Sequence, residues 1–299
     1  MPSWTQVLEE LQGYKRVDAL DFVRRKYLKE FSDSTGRNVI AYYSGWLQKP
    51  GSGNAELSDD DKNGFMATIH GLDRNKGLDL ILHTPGGNIA ATESLVDYLR
   101  KMFGNDIRAI IPQLAMSAGT MIACACDCII MGKQSSIGPI DPQFNGIACH
   151  GVLSEFRHAI EEITKDPNSI PIWQVIISKY HPTFLGDCEN AIRWSSEIVK
   201  GWLMSGMLRN DPGRESIAER IVSSLNNHED TKTHSRHLPL DDAKILGLKI
   251  MSIEDDFNGE FQDRVLTIHH AYMHTFSNST AIKIVENQNG IAVVAHLKG

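Results

Sequence analysis

Cysteine is scarce in this chain. There are five in 299 residues, at positions 124, 126, 128, 149 and 188. An odd set in apolar surroundings points to buried, reduced thiols and a reducing compartment. The run Cys124, Cys126, Cys128 lacks the second pair or the histidines at suitable spacing that a zinc site needs. His269, His270 and His274 recur at helical spacing but have no acidic or thiol ligands beside them, so no metal is expected. The N-terminal stretch has no apolar core of a signal peptide, and no uncharged apolar run is long enough to span a bilayer, so a cytoplasmic chain without a membrane span is expected. Positive charge is also short: 30 Lys and Arg stand against 37 Asp and Glu, a net −7 that argues against a general nucleic-acid surface. The one basic cluster, VRRKYLKE, reads as the solvated face of an amphipathic helix. No phosphate loop and no G-x-G-x-x-G after a strand occurs, so no nucleotide cofactor is expected. Internal repeats and low-complexity segments are absent too.

What remains is an ordinary globular composition, 41% hydrophobic and 22% charged, in a chain long enough for one large α/β domain or two small ones. DALDFVRRKYLKEFSDSTG, residues 18–36, reads as an amphipathic helix ending near Gly36, followed by a strand at NVIAYYSG. A Gly/Pro/Ser-rich loop leads to a helix with Ser58 as its N-cap and Asp61 three residues on. LDLILHT, IRAIIPQL and DCIIMG are short, nearly continuous apolar runs of the kind that parallel strands covered on both faces show. Helices IAATESLVDYLRKMF and SAGTMIACA separate them, which is the alternation of βαβ units. Past Pro142 the pattern turns helical, and one segment of about 25 residues places Trp194, Val199, Trp202 and Leu203 on a shared face. A final helix and a hairpin with a Gln-Asn-Gly turn complete the chain. The expected organisation is an N-terminal helical segment (1–34), a catalytic-type α/β domain (35–255) and a C-terminal helix-and-hairpin extension (256–299), with two domains split near residue 150 as the alternative.

Two glycine-rich stretches fall where neighbouring strands end, which is where open α/β sheets place their sites. In HTPGGN, residues 83–88, the glycines expose backbone N–H groups that can donate to a negatively charged oxygen. In AMSAGT, residues 115–120, Ser117 stands at the mouth of the next helix, with Ala118 and Gly119 leaving room for a substrate backbone. Alone, each is an ordinary turn or a helix cap. Together, about thirty residues apart on successive strands, they point to a site.

The series strand–PGG, helix, strand–MSAGT, helix, strand–GKQSSIGPIDPQ resembles the Clp protease and signal peptide peptidase A group of serine peptidases, and most closely the serine dehydrogenase proteinase family. The likeness covers roughly residues 35–250. It implies a Clp/crotonase-like ββα spiral fold with a parallel sheet, homo-oligomers, and a peptide or protein substrate hydrolysed by a serine nucleophile that maps to Ser117. Gly86, Gly87 and the N–H of Ala118 would then form the oxyanion hole. In the Clp-type enzymes a histidine follows about 25 residues after the serine, but here Asp141 holds that place, so a Ser-His-Asp arrangement is unsupported. Similarity to signal peptide peptidase A suggests a lysine base instead, which must be neutral to act. Lys179 in IISKYHP is the expected base, with Lys165 and Lys133 as competitors; His83, His181, His234 and His237 are weighed as lesser candidates. Two other readings stay open at this stage: an acyl-CoA-handling enzyme of the same fold, and a non-catalytic oligomeric peptide-binding protein in which Ser117 only caps a helix.

Overall fold

A computed structural model describes residues 4–144, 146–226 and 236–297. Its centre is a seven-stranded sheet in the order β10-β5-β3-β2-β1-β11-β12. Strands β1 (Asn38–Ser44), β2 (Leu78–His83), β3 (Ile107–Ile111), β5 (Cys128–Met131) and β10 (Ile250–Ser252) run parallel, while β11 (Ala281–Asn287) pairs antiparallel with β1 and β12 (Ala292–His296) antiparallel with β11. Every residue of β1, β2 and β5 is buried, which is why these strands read as continuous apolar runs rather than alternating ones. A small second sheet, β4 (Leu114–Ala115), β6 (Ser136–Ile137) and β9 (Leu238–Pro239), lies beyond the end of β3. The run expected as one strand over IRAIIPQL therefore divides between two sheets at Pro112–Gln113.

Helices cover both faces. On one, α3 (Asp61–Ile69), α4 (Ile89–Phe103), α5 (Ala118–Cys124) and α9 (Arg214–Asn226) close a core through Phe65, Leu95, Met121 and Ile221. On the other, α2 (Ala19–Thr35) packs against α11 (Gly259–Asn278) through Leu28, Phe31, Ile268 and Tyr272. The C-terminal hairpin is no appendage: β11 pairs with β1 inside the main sheet. Arg24 of α2 is buried between the two terminal segments, donating to Glu286 of β11 at 2.9 Å and to Thr275 of α11 at 3.0 Å. Tyr272 donates to the same carboxylate at 2.9 Å, so the buried charges are paired and hydrogen-bonded as their desolvation demands.

Two local readings change. Helix α3 begins at Asp61 with Asp60, not Ser58, in the cap position; the Ser58 N–H donates to the Asp61 carboxylate at 2.8 Å. Asp61 also meets buried Lys283 of β11 at 2.8 Å. In α8 (Phe184–Ser205), Val199 and Leu203 are buried but Trp194 is exposed on another face, because five residues advance a helix by about 140° beyond a full turn. Beyond Pro142, a short β7 (Gln143–Phe144) and β8 (Ile147–Ala148) ribbon leads into α6 (Cys149–Lys165), α7 (Ile170–Ile177) and α8, which form an arm beside the sheet.

Of the histidines grouped on α11, His269 and His274 are buried and His270 is half-buried. His269 is buried, its ring 5.1 Å from that of His83 at the end of β2, and His83 packs between Tyr43 at 5.5 Å and Trp46 at 4.4 Å. Burial, reinforced by the neighbouring imidazole, holds His83 well below the ordinary histidine range, and burial pushes His269 down to about 3. Both rings are therefore neutral in the fold. In the unfolded chain they take up protons below about pH 6.5, so the fold is at full strength above that value and loses stability as pH falls toward 3. Each such ring steepens the loss by up to about 1.4 kcal/mol per pH unit. Urea unfolding followed between about pH 7 and pH 4 is expected to show a falling midpoint, and His269→Phe is expected to flatten that fall.

Candidate active site

The two glycine-rich turns meet. Thr84, just past β2, forms a parallel bridge with Ala115 of β4, its N–H donating to Leu114 at 3.1 Å and its carbonyl accepting from Met116 at 3.0 Å. This clamps one turn against the other. A Cβ placed on Gly86 would stand 2.6 Å from Ser117 Cβ and 2.9 Å from the Met116 carbonyl, so contact at this distance requires glycine. Gly86 also has φ of 109°, in the region that other residues avoid. Gly119 is pressed as closely, with a would-be Cβ 2.6 Å from Thr84 Cγ2.

Ser117 itself has φ 50° and ψ −114°. Among the described residues only Asn54 shares a positive φ without being glycine. Such a conformation costs on the order of 1–3 kcal/mol and persists only where the surroundings impose it. It lies at the elbow between β4 and α5. The hydroxyl makes no capping bond to α5. The helix-cap explanation for this serine therefore lacks its defining hydrogen bond.

Gly87 lies between two residues that bond the same neighbour. Gly86 O accepts from Leu57 N–H at 2.7 Å, and Asn88 N–H donates to Leu57 O at 2.9 Å. Successive residues of an extended chain point their polar groups to opposite sides, so the Gly87 N–H faces away from Leu57. A Cβ on Gly87 would meet Leu57 O at 2.3 Å. Among the described residues neither the Gly87 N–H nor the Ala118 N–H donates to any acceptor. Two free amides beside one hydroxyl is the arrangement that stabilises a tetrahedral oxyanion.

These groups open into a cavity of about 1180 Å³. Ser117 and Gly87 form part of its floor with Ile89, Met121 and Ile140, and α8 supplies one wall. Thr120 stitches the floor together, donating to Ala115 O at 2.9 Å and accepting from Gly138 N–H at 2.9 Å. Thr84, Thr120, Leu57 and the α8 wall were not singled out from the sequence. Exposed Trp194 at helical spacing from Asp187 and Glu197 was the one available signal for that wall.

The candidate bases are placed differently. Lys179, Lys165 and Lys133 are exposed and none lines the cavity. Lys179 follows α7 and precedes Tyr180, whose ring stacks 5.7 Å from that of cavity-lining Phe184. His181 is exposed and bonded to Thr183, His237 is exposed ahead of β9, and His234 lies outside the described residues. Asp141 is buried between Ile140 and Pro142, both of which line the cavity. His150 sits in the first turn of α6, its Nε2 3.3 Å from Asn226 Oδ1, and the Cys149 N–H ties that turn to the Pro142 carbonyl at 3.0 Å. Cys124, Cys126 and Cys128 are buried free thiols, and burial pushes Cys124 up to about 12. No group of three potential metal ligands occurs among the described residues.

The 1510-N membrane-bound stomatin-specific protease, solved as a mutant, covers 70% of this chain and 79% of its own at 15% identity and a TM-score of 0.41, too distant a likeness to bear on mechanism. No helix among the described residues of the present chain is long and apolar enough to cross a membrane. Two uncharacterized proteins of Methanocaldococcus jannaschii are similar in sequence. MJ0137 is 34% identical over 238 residues, 77% of this chain and 74% of its own. MJ1495 is 29% identical over 194 residues, 65% of this chain and 59% of its own, so the present chain spans a little over half of that relative. The profile of the ClpP-like SDH-type serine proteinases matches residues 24–254, and the mostly parallel sheet is consistent with the Clp/crotonase-like fold. The chain belongs to the ClpP-like SDH-type serine proteinase family.

Proposed function

We propose that this chain hydrolyses peptide bonds of protein substrates, with Ser117 as nucleophile and the N–H groups of Gly87 and Ala118 as the oxyanion hole. The observation that carries this reading is the strained, uncapped Ser117 beside two undonated amides at the floor of an open cavity. Ser117 Oγ attacks the scissile carbonyl and loses its proton to a base. The carbonyl oxygen, now negative, is held by the two amides, and the base returns the proton to the leaving amine. Water then releases the acyl-enzyme by the same route. Gly86 serves by letting the two turns touch.

Lys179 is the proposed base, acting once a bound peptide covers the rim and desolvates the amine. A second assignment for the base alone is His150, half-buried in the turn that the Cys149 N–H ties to the carbonyl of Pro142, the residue after buried Asp141. An acyl-CoA enzyme would use the amides but not the serine, so the chemistry of Ser117 separates the readings.

Wild-type protein is expected to form a covalent fluorophosphonate adduct at Ser117, located by mass spectrometry, and Ser117→Ala to lose peptide hydrolysis by on the order of 10⁴-fold. Full hydrolysis by Ser117→Ala, or no adduct, overturns the reading. Lys179→Ala is expected to lower labelling and hydrolysis by roughly 10²–10⁴-fold; retention there together with loss in His150→Ala moves the base to the imidazole. Gly86→Ala forces the two turns apart. Displacement of a reacting group by about 1 Å costs about 100-fold, and the labelling rate is expected to fall by that order while the circular dichroism spectrum stays that of the wild type.

A further inference from the structure

The wall of the cavity carries a pattern that the reaction does not use. Asp187, Asn190, Ala191, Trp194 and Glu197 all line it from α8. Their spacing of three, one, three and three residues places them along one side of the helix. From Asp187 to Glu197 the wall rises about 15 Å at 1.5 Å per residue, which an extended peptide spans with four or five residues at about 3.3 Å each. Carboxylates stand at both ends of this wall, with the Trp194 ring and Ala191 between them. Glu56 adds a third carboxylate from the segment that pairs with Gly87, one residue before Leu57. All three are exposed, and among the described residues none is in a salt bridge. Among the described residues the only guanidinium lining the cavity is that of Arg193, which donates to Asn190 Oδ1 at 2.7 Å. Next to the nucleophile the lining is apolar: Ile89, Met121 and Ile140.

We propose that this cavity selects extended peptide segments with an apolar residue at the attacked carbonyl and lysine or arginine on the flanks, within about three residues of it. The inference names the substrate class of the peptidase reading and rests on it. The apolar floor beside Ser117 takes the central side chain, whose burial is favoured in proportion to its area. Asp187, Glu197 and Glu56 face the flanking cations. Complementary charges at an exposed rim raise the encounter rate and reject anionic segments more than they deepen affinity. They are also screened by salt.

The test uses full-length Ser117→Ala protein, so that binding is read without turnover. Two fluorescent peptides share one apolar centre and differ in lysine or glutamate flanks; fluorescence anisotropy gives their affinities. The lysine-flanked peptide is expected to bind about tenfold more tightly at low ionic strength, with the gap narrowing to about twofold near 0.5 M salt. The double variant Asp187→Lys with Glu197→Lys is expected to reverse the order. Equal affinities, tighter binding of the glutamate peptide, or a gap unmoved by the charge reversal overturns the selectivity. Cleavage of the same peptides by wild-type protein reads the peptidase proposal separately: charge-selective binding without cleavage leaves the selectivity standing and removes the hydrolysis, and cleavage without preference does the opposite.

Discussion

The contact between Gly86 and Ser117 is the constraint on which the rest of the molecule turns. Two chain reversals, each ending a strand, approach until no side chain fits between them, with only 2.6 Å left for a Cβ. Nothing in the local preference of Ser117 favours its backbone angles. They hold because the Thr84–Ala115 bridge and the packing of Gly119 on Thr84 fix both sides of the elbow at once. That clamp is rigid only because β2 and β3, which lead into it, are central strands of a sheet buried on both faces. The strain at the serine is thus supported by core packing spread through the sheet, and the free amides of Gly87 and Ala118 come with the same geometry.

Much of this was legible in the sequence, for reasons that can be named. Buried parallel strands have no polar face, so LDLILH and CIIM announce themselves as unbroken apolar runs. Helix α4 is bracketed by its own signals: Asn88 accepts from the Ala91 N–H at 3.0 Å at one end, and Gly104 closes the other with φ of 62°. The paired PGG and MSAG turns could be read as a site because close approach of two backbones has a residue requirement, and glycine meets it. The pairing of β11 with β1 could not be read, since 243 residues separate Asn38 from Ala281 and no local rule spans them. The ion pair of Asp61 with Lys283 was hidden for the same reason, and Asp61 read as a helix-start residue alone.

The base was the hardest part to read, and the physical reason is general. A nucleophile turn is specified by local backbone geometry, so its signature is short and contiguous. A proton acceptor needs only a side chain within reach, and reach is decided by tertiary packing. Lys179, Lys165 and Lys133 look alike in sequence, and all are exposed when the chain is folded. Asp141 read only as the residue standing where a Clp-type histidine would be, and His150 drew no notice, yet the fold buries that carboxylate between cavity-lining Ile140 and Pro142 and ties the turn that carries the imidazole to Pro142.

The sheet and the helical arm divide the work between them. Residues that the floor contributes, Gly86, Gly87 and Ser117, are held by main-chain bonds and cannot shift without breaking the elbows. The arm is built otherwise. Ile160 of α6 and Ile172 and Val175 of α7 are each more than half exposed, and α8 meets the cavity through side chains rather than backbone. A fixed floor suits chemistry, where a displacement of about 1 Å is costly, and a wall of exposed side chains suits selection, where charge and shape can vary without disturbing the elbows. On this division Lys179 belongs to the arm and Ser117 to the floor. If Lys179 is the base, as proposed above, it acquires its reactivity only when substrate covers it, because the desolvation that neutralises an amine then comes from the peptide itself. On that proposal binding and activation are one event, and an open cavity is kept from attacking water-exposed chains at random.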